Sequence, residues 1–334
     1  MVEVGALNKK QKIVWVLNYN FTLAEHQSSP SYKMIQNFYS TEDEIPSDIV
    51  CVNVLVVGRT IRITAKTIAK LTNCVSIIRP GVGCDNIDVS EAEKHGIKVI
   101  TIPDYCVDEV ADHTFALLLS YSRKITIANE KLLENLIMNW SPSPFESMKR
   151  LCGKTLGIIG LGCIGQAVAK RASAFSMNIV YFDPFLKTGM RKVVNASICS
   201  SVEQLFGMSD YVSIHTPLTE ETKGLVSLSV IDGLSSPVII INTSRGEVVS
   251  NEAIFEGLKV GKIEAFLADV LESEPPNPLD PLFTAYSNKE EWVNGRLILT
   301  PHIAYLSQDS TEEVINQTLS LIDSFIGCTT KTQV

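Results

Sequence analysis

The chain reads as an α/β protein built from two doubly wound parallel sheets. Three observations predict this: short β-branched apolar runs alternating with helical stretches, a length of 334 residues, and one glycine-rich turn between a strand and a helix. Continuous apolar strands separated by helices form parallel sheets covered on both faces, and the length suggests about two domains.

In the first series the strand runs are KIVWVLN (12–18), VNVLVVG (52–58), CVSIIRPG (74–81) and IKVITIP (97–103), with helical stretches such as TAKTIAKLTN and SEAEKHG between them. From Val107 to about Leu136 the spacing predicts one long helix. NWSPSPFESMKR (139–150) then breaks the pattern with prolines and serines and reads as a connection. The second series runs KTLGIIG, NIVYFDP, DYVSIHTP, PVIIINTS, IEAFLADV and RLILTP. A terminal helix follows. Ser310 with Glu313 suggests a capping box at its start, and Val314, Ile315, Leu319, Ile322 and Ile326 form one apolar stripe.

A hydrophobic content of 45% with 20% charged residues is ordinary for a globular protein. The net charge of −8 argues against nucleic acid or an anionic membrane as partner, and no apolar run is long enough to span a bilayer. The first twenty residues do not read as a signal peptide. Eight scattered cysteines, without a Cys-x-x-Cys pair, suit a reducing cytoplasm and argue against a metal site.

Gly160, Gly162 and Gly165 stand in G-x-G-x-x-G register, with Cys163 and Ile164 opening the helix that follows. One glycine makes the tight turn, one admits a pyrophosphate, and one lets helix and strand pack closely, while the helix N-terminus offers free N–H groups to the anion. Asp183 ends the next strand and suits a ribose diol. With no arginine following it, NAD is favoured over NADP.

Ligands of open α/β sheets bind beyond the carboxyl ends of the strands. The last three strands deliver Arg245, then Asp269 and Glu274, then His302. An arginine can clamp a carboxylate, an imidazole can exchange a proton with a carbonyl oxygen, and a glutamate can fix the imidazole tautomer. Taken singly, each also reads as a surface ion-pair arginine, a loop carboxylate or a core histidine.

The motifs RPGVGCDNID (79–88), GLGCIG, HTPLTEETKGL (215–225), NTSRGEVV (242–249), ADVLESEPP (268–276) and TPHIA (300–304) span nearly the whole chain. In that order they resemble the D-isomer-specific 2-hydroxyacid dehydrogenase family, most closely its C-terminal-binding-protein-like branch. The resemblance implies two Rossmann/flavodoxin-like domains with the active site in the cleft between them. The lid would comprise residues 1–106 plus 302–334, and the NAD-binding domain residues 107–301. It implies Arg245, Glu274 and His302 as the catalytic set, and His215, Thr216, Pro217, Thr222, Thr243, Ser244, Asp269 and Ala304 as further cofactor positions. Arg79, Gly81, Val82, Gly83 and Tyr305 would contact substrate. Arg79 could equally be a surface residue and Tyr305 core filler.

A small 2-hydroxy or 2-keto acid substrate and a homodimer joined through the long helix are the partners implied. Arg59, with Arg62, leaves open a phosphorylated or phosphonate-bearing substrate, or is simply solvated surface. A third possibility is an NAD(H)-sensing binding dimer with little turnover. The chain departs from the family where Ser250 and Asn251 replace the usual acidic residue, and in the longer segment 279–296.

Overall fold

The computed structural model describes residues 12–20, 31–146, 148–186 and 195–327. They divide into two compact units. One holds the residues up to Tyr105 together with those from Ser307 on; the other runs from Cys106 to Leu306. The return to the first unit comes later than the boundary expected at 302, because the backbone N–H groups of Ile303 and Ala304 are tied to Asp269 in the second unit.

The first unit is a five-stranded sheet of β1 (Lys12–Leu17), β2 (Tyr32–Asn37), β3 (Val54–Val57), β4 (Ser76–Arg79) and β5 (Lys98–Thr101), in the order β2-β1-β3-β4-β5. Every pairing is parallel. Period-two alternation sends Leu55 and Val57 to one face, where Ile68 of α1 (Ala65–Ile68) and Ala92 of α2 (Val89–Lys94) lie in the same core. Val54 and Val56 face the other way, onto Ile315, Leu319 and Ile322 of α10 (Gln308–Ile326). The apolar stripe read from the sequence is thus the covering face of this helix. Its N-cap is Ser307, which exchanges hydrogen bonds reciprocally with Ser310, so the capping box lies one turn earlier than the sequence suggested. Strand β2 had no clear signal in the sequence. As the sheet's edge it carries Lys, Gln and Asn among its apolar residues.

The second unit has seven parallel strands: β6 (Thr155–Ile159), β7 (Asn178–Phe182), β8 (Ser197–Ile198), β9 (Tyr211–Ile214), β10 (Val238–Asn242), β11 (Ile263–Ala268) and β12 (Leu297–Leu299). Their order is β12-β11-β10-β9-β6-β7-β8, the doubly wound dinucleotide-binding order extended by one strand, with its switch point between β6 and β9. One face packs on α3 (Val107–Ser122) and α5 (Cys163–Ala174), through residues such as Phe115, Leu118, Val168 and Ala172. The other face packs on α6 (Val202–Met208), α7 (Leu228–Asp232) and α8 (Asn251–Val260).

The single long helix expected from Val107 is broken. Helix α3 ends at Ser122, and α4 spans Ile125–Glu134. Lys124 between them adopts φ 54°, a conformation disfavoured for a residue with a Cβ, and its ammonium sits 3.8 Å from the Tyr121 ring centroid. Segment 279–296 forms α9 (Pro281–Ser287), capped by Asp280, with Leu282, Phe283 and Val293 buried in the second unit's core. Ser250, where an acidic residue was usual, caps α8 by accepting from the Ala253 N–H, a task hydroxyl and carboxylate share.

Candidate active site

Three strand ends of the second unit carry the polar residues singled out above. After β10, Asn242 is fully buried, and its Oδ1 accepts from the backbone N–H and the hydroxyl of Ser244. Its Nδ2 donates to the Arg245 carbonyl at 2.9 Å, so one amide side chain shapes the turn that presents Arg245. The guanidinium Nη1 donates to the Ser244 carbonyl. Gly246 follows, where a Cβ would lie 1.9 Å from the Leu271 backbone; only glycine lets this turn pack against the loop after β11.

That second loop holds Glu274. Its Oε1 accepts from the Leu271 N–H at 3.2 Å, and its Oε2 lies 2.7 Å from His302 Nδ1. A carboxylate only accepts, so Nδ1 carries the proton facing it and Nε2 is the exchangeable position. Both side chains are partly exposed, 18% for His302 and 32% for Glu274, which leaves the imidazole reachable. The Tyr305 ring stands edge-on to the imidazole, 6.2 Å between centroids, and is itself half-buried.

His302 has φ 56°, a left-handed conformation costing about 1 kcal/mol or more for a residue with a side chain. Asp269 holds it there. Its carboxylate, almost wholly buried, accepts from the Ile303 N–H, the Ala304 N–H and the Thr300 hydroxyl at 2.9, 2.8 and 2.6 Å, and its own carbonyl accepts from the His302 N–H. Asp269 is therefore the knot of the loop that aims the imidazole. Thr300, Asn242 and Gly246 carry no role in the sequence reading, although all three lie within the motifs TPHIA and NTSRGEVV. A strand-end asparagine two residues before a serine is the signal that could have marked the turn.

The glycine turn fits a dinucleotide. Gly160 has φ 86°, and a Cβ there would lie 2.6 Å from the His215 carbonyl. At Gly165 a Cβ would lie 2.1 Å from the Gly160 carbonyl, so this glycine serves helix–strand packing. Among the described residues, no atom beyond its own chain neighbours lies within 4 Å of the Gly162 Cβ position, as an approach for a pyrophosphate requires. Cys163, exposed, and Ile164, part-buried, open α5 there. Asp183 accepts from the Leu161 and Phe185 N–H groups, both at 2.9 Å, and each oxygen keeps capacity for another donor.

Other sequence-selected positions turn inward. The Thr222 hydroxyl donates to the Pro217 carbonyl and accepts from the Thr219 N–H, bracing the loop after Thr216. The Thr243 hydroxyl meets that of Thr114 at 2.9 Å. His215 places Nε2 2.7 Å from the Ser213 hydroxyl, while Nδ1 is buried and has no partner among the described residues. Burial pushes its pKa down to about 3, so the ring is neutral at physiological pH.

In the first unit, Arg79 is buried at the end of β4 and donates to the Pro80 carbonyl. Gly81, at φ 155°, lies against its guanidinium; Val82 is exposed and Gly83 half-buried. Arg59 and Arg62 are exposed. Among the described residues no group of His, Cys, Asp and Glu is arranged to hold a metal ion, and no helix is long and apolar enough to cross a membrane.

Residues 115–304 match the NAD-binding domain of the D-isomer-specific 2-hydroxyacid dehydrogenases. The chain belongs to that family. It is 36% identical over 273 residues to the hydroxypyruvate reductase of Thermotoga maritima, covering 82% of this chain and 84% of that one. It is 38% identical over 241 residues to the D-3-phosphoglycerate dehydrogenase of Methanocaldococcus jannaschii, covering 72% of this chain and 45% of the relative. The chain thus spans about half the length of the D-3-phosphoglycerate dehydrogenases it matches. Among solved structures, the D-lactate dehydrogenase of Aquifex aeolicus, complexed with NAD and lactic acid, superposes with a TM-score of 0.79 at 25% identity, over 95% of this chain and 96% of that one. The cofactor of this dehydrogenase-family chain is NAD, and the cradle at Gly160–Gly165 with Asp183 fits it.

Proposed function

We propose that this protein is an NAD-dependent oxidoreductase interconverting a 2-keto acid and the corresponding 2-hydroxy acid. The observation that carries the proposal is the 2.7 Å contact between His302 Nδ1 and Glu274 Oε2, on a loop that the buried Asp269 carboxylate organises. When bound, NAD supplies the hydride for reduction and accepts it in oxidation.

The protein's own part is proton transfer and positioning. His302 Nε2 gives its proton to the keto oxygen as C2 is reduced and takes it back from the hydroxyl in oxidation. Glu274 keeps the proton on Nδ1 and stabilises the imidazolium. Arg245 swings its guanidinium from the Ser244 carbonyl to the substrate carboxylate and holds it with two hydrogen bonds. In the first unit, Arg79 with Gly81, Val82 and Gly83 stays in the proposal as a substrate-binding turn, with Gly81 bare of a side chain.

Relatives named hydroxypyruvate reductase and glyoxylate reductase support a small acid as substrate. A phosphorylated or phosphonate-bearing acid is the second reading, favoured by exposed Arg59 and Arg62 and by the relatives named D-3-phosphoglycerate dehydrogenase. Homodimerisation is part of the proposal. Leu133, Ile137 and Trp140 are 78%, 85% and 75% exposed along α4 and the turn after it, apolar surface that a second copy would cover. A cytoplasmic setting is consistent with the seven free cysteines among the described residues.

The test is NADH oxidation by the purified protein with glyoxylate, pyruvate, hydroxypyruvate and 3-phosphohydroxypyruvate. Turnover of an unphosphorylated acid supports the first reading. A preference for the phosphorylated acid that Arg59→Ala abolishes supports the second. Tight NADH binding with no turnover of any 2-keto acid would leave a sensing dimer and refute the enzyme proposal.

A further inference from the structure

We infer that His113, on α3, is a positioning residue for the proposed acid–base group, acting through Thr300 and Asp269. The inference rests on His302 being that group. His113 Nε2 lies 2.9 Å from the Thr300 hydroxyl oxygen, and that hydroxyl lies 2.6 Å from Asp269 Oδ1. Thr300 has one proton to give. The carboxylate can only accept, so the proton points to Asp269 and the Thr300 oxygen must accept from His113. The imidazole of His113 therefore carries its proton on Nε2, and the chain His113→Thr300→Asp269 runs in one direction.

The far end of this chain is the loop that aims His302. Asp269 gathers the N–H groups of Ile303 and Ala304, while its carbonyl takes that of His302, whose φ of 56° has to be held by its surroundings. Without the donor from α3, the Thr300 hydroxyl loses the bond that fixes its direction and holds Asp269 Oδ1 less firmly, while the N–H groups of Ile303 and Ala304 keep their contacts with the carboxylate. A second link comes from the same turn of α3. Thr114 donates to the Val110 carbonyl and accepts from the Thr243 hydroxyl at 2.9 Å, two residues before Arg245. Adjacent helix residues thus brace the loop of the imidazole and the loop of the guanidinium. His113 is mostly buried, 19% exposed, and no role in the chemistry already described requires an imidazole there.

Four measurements test this. In the resting protein labelled with nitrogen-15 histidine, the His113 resonances should report a proton on Nε2; a bare Nε2 would overturn the direction of the chain. His113→Leu should lower kcat roughly tenfold, the size of one lost hydrogen bond, with KM and NADH affinity within about twofold of wild type. His113→Gln, which puts an amide donor where Nε2 stood, should recover kcat to within about threefold. Thr300→Val cuts the same link from the other side. It also removes the Thr300–Asp269 bond, so it should lower kcat at least as much as His113→Leu, and adding His113→Leu to it should cost little more.

Wild-type kcat in His113→Leu, or a loss that glutamine does not rescue, overturns the inference. If His302→Ala is inactive in the same assays, the functional reading stands while the positioning role falls. Full activity in His302→Ala overturns both.

Discussion

The two edges of the seven-stranded sheet both carry polar residues and use them differently. At the carboxyl edge, Asn242, Asp269 and Thr243 are buried, and their partners are backbone N–H groups, a backbone carbonyl and hydroxyls at 2.6 to 3.0 Å. At the amino edge, Lys149–Glu264 and Lys154–Asp210 are ion pairs with side chains 30% to 59% exposed. The amino edge also holds a cavity of about 500 Å³ lined by Tyr121, Lys124, Lys149, Tyr211, Glu264 and Arg296, among others. Its charges are already engaged: Glu264 takes Lys149 and the Tyr121 hydroxyl, and Arg296 donates to the carbonyls of Glu264, Trp292 and Ile263. A hollow with satisfied walls is less informative than a small knot of buried donors and acceptors that hold a residue at positive φ.

That contrast ranks the expected effects. Arg245→Ala at the carboxyl edge should lower kcat/KM by roughly 10²–10³-fold, the loss of two hydrogen bonds to a charged group. Steady-state kinetics would show it, and a loss below threefold would mean that Arg245 does not grip the substrate.

His215 gives the next effect, on stability. Its folded pKa of about 3 lies below that of the unfolded chain, so between about pH 6.5 and 3 the unfolded state binds the extra proton. Stability therefore falls as pH drops through that window, by up to a few kcal/mol. His215→Gln, which cannot titrate, should show a shallower decline in Tm over the same range. Parallel curves for the two proteins would rule out a buried neutral imidazole.

Gly165→Ala places a methyl 2.1 Å from the Gly160 carbonyl. It should cost about 1–3 kcal/mol of stability and weaken NADH binding, whereas Gly162→Ala should weaken NADH binding and leave Tm almost unchanged. Equal Tm losses in the two variants would contradict the division of labour between the glycines. Lys149→Ala at the amino edge should cost less than about 1 kcal/mol and leave turnover alone. A larger loss would erase the contrast between the edges.

Much of this was legible in the sequence because it rests on local rules. The alternating apolar runs gave most of the strands, and the glycine spacing gave the cradle, since each follows from side-chain period or backbone sterics. Arg245, Glu274 and His302 were legible as strand-end residues of the kinds that proton transfer and carboxylate binding need. What stayed hidden depends on partners far along the chain. Strand β2 pairs at an edge and needs no apolar signature. The break at Lys124 puts a lysine at φ 54°, a left-handed turn for which the sequence offers no glycine or asparagine as a signal. Asp269 was marked in the sequence, but its role as the knot under His302 needs Thr300, Ile303 and Ala304 brought round to it. The link from His113 to Thr300 spans 187 positions, beyond any spacing rule.

The most direct test of the account is the turnover of His302→Ala on the best 2-keto acid, with NADH affinity measured on the same preparation. The account predicts a fall of roughly 10²–10⁴-fold in kcat, the usual contribution of a general acid–base group, with NADH affinity nearly unchanged. Wild-type turnover in that variant would contradict it and return His302 to the role of a structural loop histidine.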